Sequence, residues 1–249
     1  SGYDVDVKAG SLLNVSGGAR VDGALARTYG RGGSLTLKGG TDLSLGWVGG
    51  GSLKLGGEMR GMAGTRTLGG SLTLQAPLIQ VDGTAGADTL LISSDFFSQG
   101  GFSSHRLVGI GVQEGPESYR PGLVIDSSAR VKPEVLSYIY EAQDAGMTLR
   151  TLLPHPGLRQ PSSLSFASTG AVDEFSRLMV VRGDLVAQAG SVIDAGARGA
   201  VSFTADTVSL LGAVSASGGS ILVQGADKMP TLDPNPQKAL TTVYLGAGA

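Results

Sequence analysis

Short runs of alternating polar and apolar residues recur along this chain, and glycine leads many of them. In GGSLTLQAPLIQVDG (69–83), Ser71 and Thr73 alternate with Leu72 and Leu74, and Leu78, Ile79 and Val81 follow Pro77. Nearly the same words stand at GGSLTLKGG (32–40) and GGSLKLGGE (50–58). Such alternation predicts strands, because successive side chains on a strand point to opposite faces. Gly, Asp, Asn and Ser fill the gaps, where the chain must turn. The glycine pairs at 32, 50 and 69 are 18 and 19 residues apart, and GAVSFT (199–204) and GGSILV (218–223) are again 19 apart.

A period near 19 with short strands in each repeat predicts an all-β fold, a parallel β-helix with about 19 residues per coil. Each strand would pair with its equivalent one coil later, about 4.8 Å along the axis. Inward Leu, Ile and Val would stack into columns, and outward Ser, Thr and Lys would meet water. A β-sandwich calls for strands of more varied length and a more aromatic core. A propeller needs a period of roughly 40 to 50, and calcium-binding nonapeptide coils need GGxGxDxUx, which is absent.

The pattern divides the chain into coils over 1–92, an interrupted region over 93–182, and coils over 183–249 with a Pro-rich interruption at 229–242. The middle region holds 8 of the 13 aromatics, both histidines and 6 of the 10 prolines, but only 9 of the 41 glycines, so its repeat is broken. Within it, 106–112, 123–126 with the following SSARV, and 163–167 still read as strands. Residues 113–121 read as an outward loop. PEVLSYIYEAQDA predicts a short helix over about 133–145, with Pro133 in its first turn and Gly146 at its stop. That helix and LLPHPGLRQPS would form a small extra-helical module.

Bulk composition narrows the function. The formal charge of −2 shows no basic stripe for nucleic acid. No cysteine means no disulfide and no thiolate metal site. No run of about 18 apolar residues is present to span a membrane as a helix. No signal peptide is visible, and the patterned opening SGYDVDVKAG leads to the expectation that the chain is a piece of a longer protein.

GGSLTLKGG, GGSLTLQAPLIQVDGTA, AGSVIDAGARGAVSFTADTVSLLGAVSASGGS and, most specifically, SSDFFSQGGFSSHRLVG resemble large exoproteins of the filamentous haemagglutinin family. The resemblance covers most of the chain and implies a right-handed β-helix. It also implies export to the bacterial cell surface or medium by an outer-membrane two-partner secretion transporter. The expected role is a shaft segment of a secreted adhesin, active in cell or matrix attachment, biofilm and virulence. The alternatives are a carbohydrate-active β-helix enzyme, lyase or hydrolase, and the plain stalk of a contact-dependent toxin.

Candidate chemistry is sparse. Arg182-Gly183-Asp184 spells an integrin-type motif, but it sits tightly between apolar runs and reads first as a glycine turn between two strands. His105 and His155 stand 50 residues apart without Cys or H-x-x-H spacing, so they read as packing or surface residues. Ser103 and Ser104 precede His105, but adjacency is not a triad. Asp4, Asp6, Asp22, Asp42 and Asp82 fall near turns, where aspartate bonds to its own backbone. No catalytic residue, metal or cofactor is expected. Phe96, Phe97, Phe102, Tyr119, Tyr138 and Tyr140 read first as packing, and they are also where any recognition of a host-cell or matrix glycan or protein would sit, since inserted loops carry function and aromatics stack on sugars or anchor partners. In the packing reading these aromatics glue the insertions to the coils.

Overall fold

A computed structural model describes all residues except 1–2, 25, 43–47, 116–117, 144–145, 173–178, 226–241 and 248–249. The described chain is nearly all β, and its only helical elements are the single 3₁₀ segments Ser94–Ser98 and Pro156–Leu158.

Two sheets carry six parallel strands each. The first runs Ser34–Lys38, Ser71–Ala76, Ser104–Gly109, Ser163–Ser168, Ala200–Ala205, Ser220–Gly225. The second runs Thr89–Ile92, Leu78–Val81, Leu123–Ile125, Asp184–Ala187, Thr207–Leu210, Thr242–Leu245. A third parallel sheet holds Arg130–Val131, Val192–Asp194 and Ala213–Ser215. From Leu123 onward the chain visits second, third and first sheet in turn.

Register puts like residues over one another. One column of the first sheet reads Leu35, Leu72, His105, Leu164, Val201, Ile221, and its neighbour reads Leu37, Leu74, Leu107, Phe166, Phe203, Val223. The second sheet stacks Ile79, Leu123, Leu185, Val208, Val243. Residues from all three sheets join one buried apolar cluster. Phe166 and Phe203 stack with centroids 5.5 Å apart. A slip of one residue would turn each of these columns to the opposite face, so the alternating pattern pins the register.

The glycine pairs act through close approach. A Cβ on Gly70 would lie 2.5 Å from the Gly33 carbonyl oxygen, and one on Gly219 would lie 1.8 Å from that of Gly199. Backbones of successive strands therefore meet where no side chain fits.

Two expectations are corrected. The uniform period of 19 does not hold. Leu35 pairs with Leu72, 37 residues on, while Ser52–Leu55 pairs with Asp4–Val7 outside the first sheet. GGSLKLGGE and GGSLTLKGG are thus not successive strands of one sheet; the same words suit any strand with one face on the core. Near the C-terminus the spacing does tighten, with Ala200 paired to Ser220, Val192 to Ala213 and Leu185 to Val208.

The helix over 133–145 is absent. Ser137–Gln143 is a strand that pairs antiparallel with Gly146–Leu152 and parallel with Ala63–Gly64. The segment's Tyr138, Ile139 and Tyr140 favour strands, and the Ala63–Gly64 edge supplies a template that local helical spacing does not reveal. In the loop expected over 113–121, Val112–Gly115 pairs antiparallel with Ser118–Arg120. Most of the Pro-rich interruption at 229–242 lies outside the described residues.

Candidate functional site

The segment that follows Thr89–Ile92 folds as the 3₁₀ turn Ser94–Ser98 and leads into Ser104–Gly109. Asp82 anchors it, accepting from the Ser94 amide (3.0 Å) and hydroxyl. Phe97 and Phe102 are buried and Phe96 is half-buried. Their rings surround His105, with centroids 5.3 Å (Phe97), 6.2 Å (Phe102) and 6.4 Å (Phe96) away, all edge-on. His105 takes a leucine place in its column, between Leu72 and Leu164. Neither ring nitrogen has a hydrogen-bond partner among the described residues, and burial pushes its pKa down to about 4, so the ring is neutral at pH 7.

Beside this aromatic group lies a half-open cavity of about 560 Å³, lined by Met59, Met62, Leu72, Ile92, Phe96 and Phe102 among others. Phe96 and Phe102 border both the cavity and His105.

The remaining aromatic candidates lie on two separate insertions. Tyr138 is buried at the base of the arm 137–152, donates to the Gly17 carbonyl and to the Gly18 carbonyl (3.1 Å), and meets Tyr29 edge-on at 5.9 Å. The Tyr140 side chain lies outside the described residues. Tyr119 is half-buried against Ile110, Ala171 and Val181. The six aromatics therefore do not form one exposed surface: Phe97, Phe102 and Tyr138 are interior.

The Arg-Gly-Asp triplet is internally satisfied. Arg182 grips Asp184 in a bidentate pair at 2.7 and 2.8 Å and covers the Tyr119 ring at 5.2 Å. Asp184 is buried and also accepts from the Thr207 hydroxyl at 2.5 Å, while the Gly183 amide donates to Asp206 at 2.8 Å. The carboxylate that a receptor metal would need is thus held inside.

His155 is exposed, so the two histidines occupy opposite environments. The aspartates divide. Asp22 and Asp126 bind turn amides, and the Ser128 hydroxyl and amide hold the Asp126 carboxyl below its usual range. Asp4 and Asp6 stand on a strand, exposed, between inward Val5 and Val7. Among the described residues no group of three His, Cys, Asp or Glu could hold a metal ion, and no helix is long and apolar enough to cross a membrane.

Buried His105 at a core position was legible in one signal. SSHRLV aligns with the GSLTLQ of the repeat phrase, which puts histidine where leucine stands. Compared with models of known protein families, with curated proteins and with solved structures, the chain matches none.

Proposed function

We propose that the three parallel sheets close into a right-handed parallel β-helix and that this chain is a shaft segment of a secreted, haemagglutinin-like bacterial adhesin. Its mechanism is mechanical: stacked coils make a rod, and inserted hairpins project from it. The supporting observation is the in-register column structure, which extends one core over six strands per sheet, a span of about 24 Å at 4.8 Å per strand.

The outer columns favour a rod over a polysaccharide-cleaving enzyme. Beside the inward columns of the first sheet run Ser34, Ser71, Ser104, Ser163, Ala200, Ser220 and Thr36, Thr73, Arg106, Ser165, Ser202, Leu222. Acid–base cleavage needs carboxylates at neighbouring positions, and these columns carry none. The arm 137–152, held by Tyr138, is the element best placed to recognise a glycan or protein.

Glycan-array and cell-binding measurements on the chain, and on a version lacking 133–162, test the reading. Binding by the intact chain that falls with the deletion is expected. Equal binding by both would remove the arm from recognition, and no binding by either would overturn adhesion and leave a spacer.

A further inference from the structure

The loop after Ala63–Gly64 holds an arginine where turn geometry asks for glycine. The Thr67 amide (3.1 Å) and hydroxyl (2.7 Å) donate to the Gly64 carbonyl and close a tight turn over 64–67. Arg66 takes the third place of that turn, with φ at +71°. A left-handed backbone at this place favours glycine or asparagine. An arginine there is strained, and strain of this kind gathers at ligand clamps. Arg66 is exposed, and among the described residues it belongs to no ion pair. Neither packing nor a charge partner within the chain accounts for it.

What Arg66 borders is a cavity of about 370 Å³ at the foot of the arm 137–152. Leu152, Leu153, Pro154 and Leu158 form its apolar walls. The rest of the lining is Thr65, Arg66 and His155, so it carries no carboxylate and no Phe, Tyr or Trp ring. Leu153 and Leu158 are 38% and 68% exposed, which leaves the apolar wall open to solvent. Two links hold the sides of the cavity together. Ala63–Gly64, just ahead of the turn, pairs with Ser137 and Tyr138 of the arm. Arg159 donates to the Pro154 carbonyl (2.9 Å) and pairs with Glu134 (2.8 Å). The second guanidinium nearby is therefore already neutralised, and Arg66 is not. Both sides lie well inside the sequence, far from its first and last residues.

Charge and lining choose the ligand. One guanidinium matches one carboxylate, fork to fork. Leucine and proline walls match an alkyl chain, whereas a sugar would use an aromatic face and several more hydrogen-bonding groups than this lining holds. At about 30 Å³ per carbon, roughly the volume of a water molecule, the space takes a chain of about eight to ten carbons.

We propose that this cavity binds a free aliphatic carboxylate, the chemistry of a medium-chain fatty acid. The carboxylate sits on Arg66, and the chain lies along Leu152, Leu153, Pro154 and Leu158. Such binding is separate from adhesion: a chain that attaches to no cell would still take the ligand.

Octanoate and 1-octanol, added to the intact chain, separate the charged head from the alkyl tail. The chain has two histidines, and their ring resonances report on two places. Octanoate should shift His155, which lines the cavity, and leave the buried His105 unmoved. Its Kd should be about 1 mM or below and about tenfold tighter than that of octanol, the effect of one charge-assisted contact. Arg66→Gly should bring octanoate to the octanol value. The same change relieves the turn, so the urea midpoint should stay or rise; a lowered midpoint with unchanged affinity would make Arg66 structural and overturn the site. Leu158→Ser, at a largely exposed position, should weaken both ligands about threefold or more. N-acetyl-leucine carries the carboxylate of a peptide end, and tighter binding by it than by octanoate would overturn the alkyl chain. Equal affinity for octanoate and octanol would overturn the carboxylate. No shift of His155 up to about 10 mM octanoate, or equal shifts of both histidines, would overturn the cavity as a site.

Discussion

The stretch from Asp184 to Gly225 and the stretch from 93 to 182 build the same core by different routes. The first passes through second, third and first sheets in 20 to 23 residues per circuit, judged from Ala200–Ser220 and Leu185–Val208, with only tight turns between strands. The second needs 62 residues between Leu123 and Leu185, yet its strands fall into the same columns. Its extra chain leaves at two corners. Hairpins Val112–Gly115/Ser118–Arg120 and Ala171–Val172/Met179–Val181 leave between first and second sheet. The arm 137–152 leaves between third and first, and the earlier hairpin Ala19–Val21/Arg27–Tyr29 leaves between Leu12–Asn14, which pairs with Glu58–Arg60, and the first sheet. Insertions at one corner pack on each other: Tyr119 against Val181 and under Arg182, Tyr138 against Tyr29. Columns tolerate long excursions because a strand pairs by register, and loop length adds entropy only slowly.

Breaking a column should cost far more than breaking a corner. Phe203→Ala, in the stacked pair with Phe166, should destabilise by about 3–5 kcal/mol in urea unfolding. His105→Leu sharpens the comparison within one column. The folded-state pKa is about 4 against 6.5 for the unfolded chain, so below pH 6.5 the unfolded state binds a proton that the folded state refuses. Stability therefore falls as pH drops from 6.5 toward 4, by up to about 3 kcal/mol from this residue. His105→Leu should flatten that window in urea midpoints taken at pH 7 and pH 4.5; an unchanged slope would place the proton elsewhere.

Gly70→Ala should cost about 1–3 kcal/mol, because the new methyl meets the Gly33 backbone, while Gly157→Ala, with open space around it, should change stability by less than about 0.5 kcal/mol. Equal effects would show that the glycine pairs do not mark close contacts. At the corner, Tyr119→Ala removes one ring face from Arg182 and a small cluster, and should cost about 1 kcal/mol in thermal unfolding. A loss as large as that of Phe203→Ala would abolish the distinction between column and corner.

Alternation in SLTLQA, SLSFAS and AVSFTA was enough to read strands and their inward faces, because one face is buried and the other wet. The strands at 123–126 and 163–167 in the broken region were legible for the same reason. The arm was not. Residues 133–145 satisfy helical spacing and strand alternation together, and only the Ala63–Gly64 edge, distant in sequence, decides between them. The Arg-Gly-Asp triplet was legible as a motif but not as a half-buried ion pair, since Thr207 and Tyr119 come from other strands.

The amino-acid sequence by itself determined that this protein is built of short, one-sided strands with glycine where backbones meet. Local alternation expresses burial directly, so neither property needs the rest of the chain. Tertiary structure alone decided which strands are neighbours. Similar phrases can pair with many others at nearly equal local cost, and the choice rests on core columns assembled from residues 20 to 62 positions apart. It also decided that the phrase at 50–55 lies in a different sheet from its twins at 32–37 and 69–74.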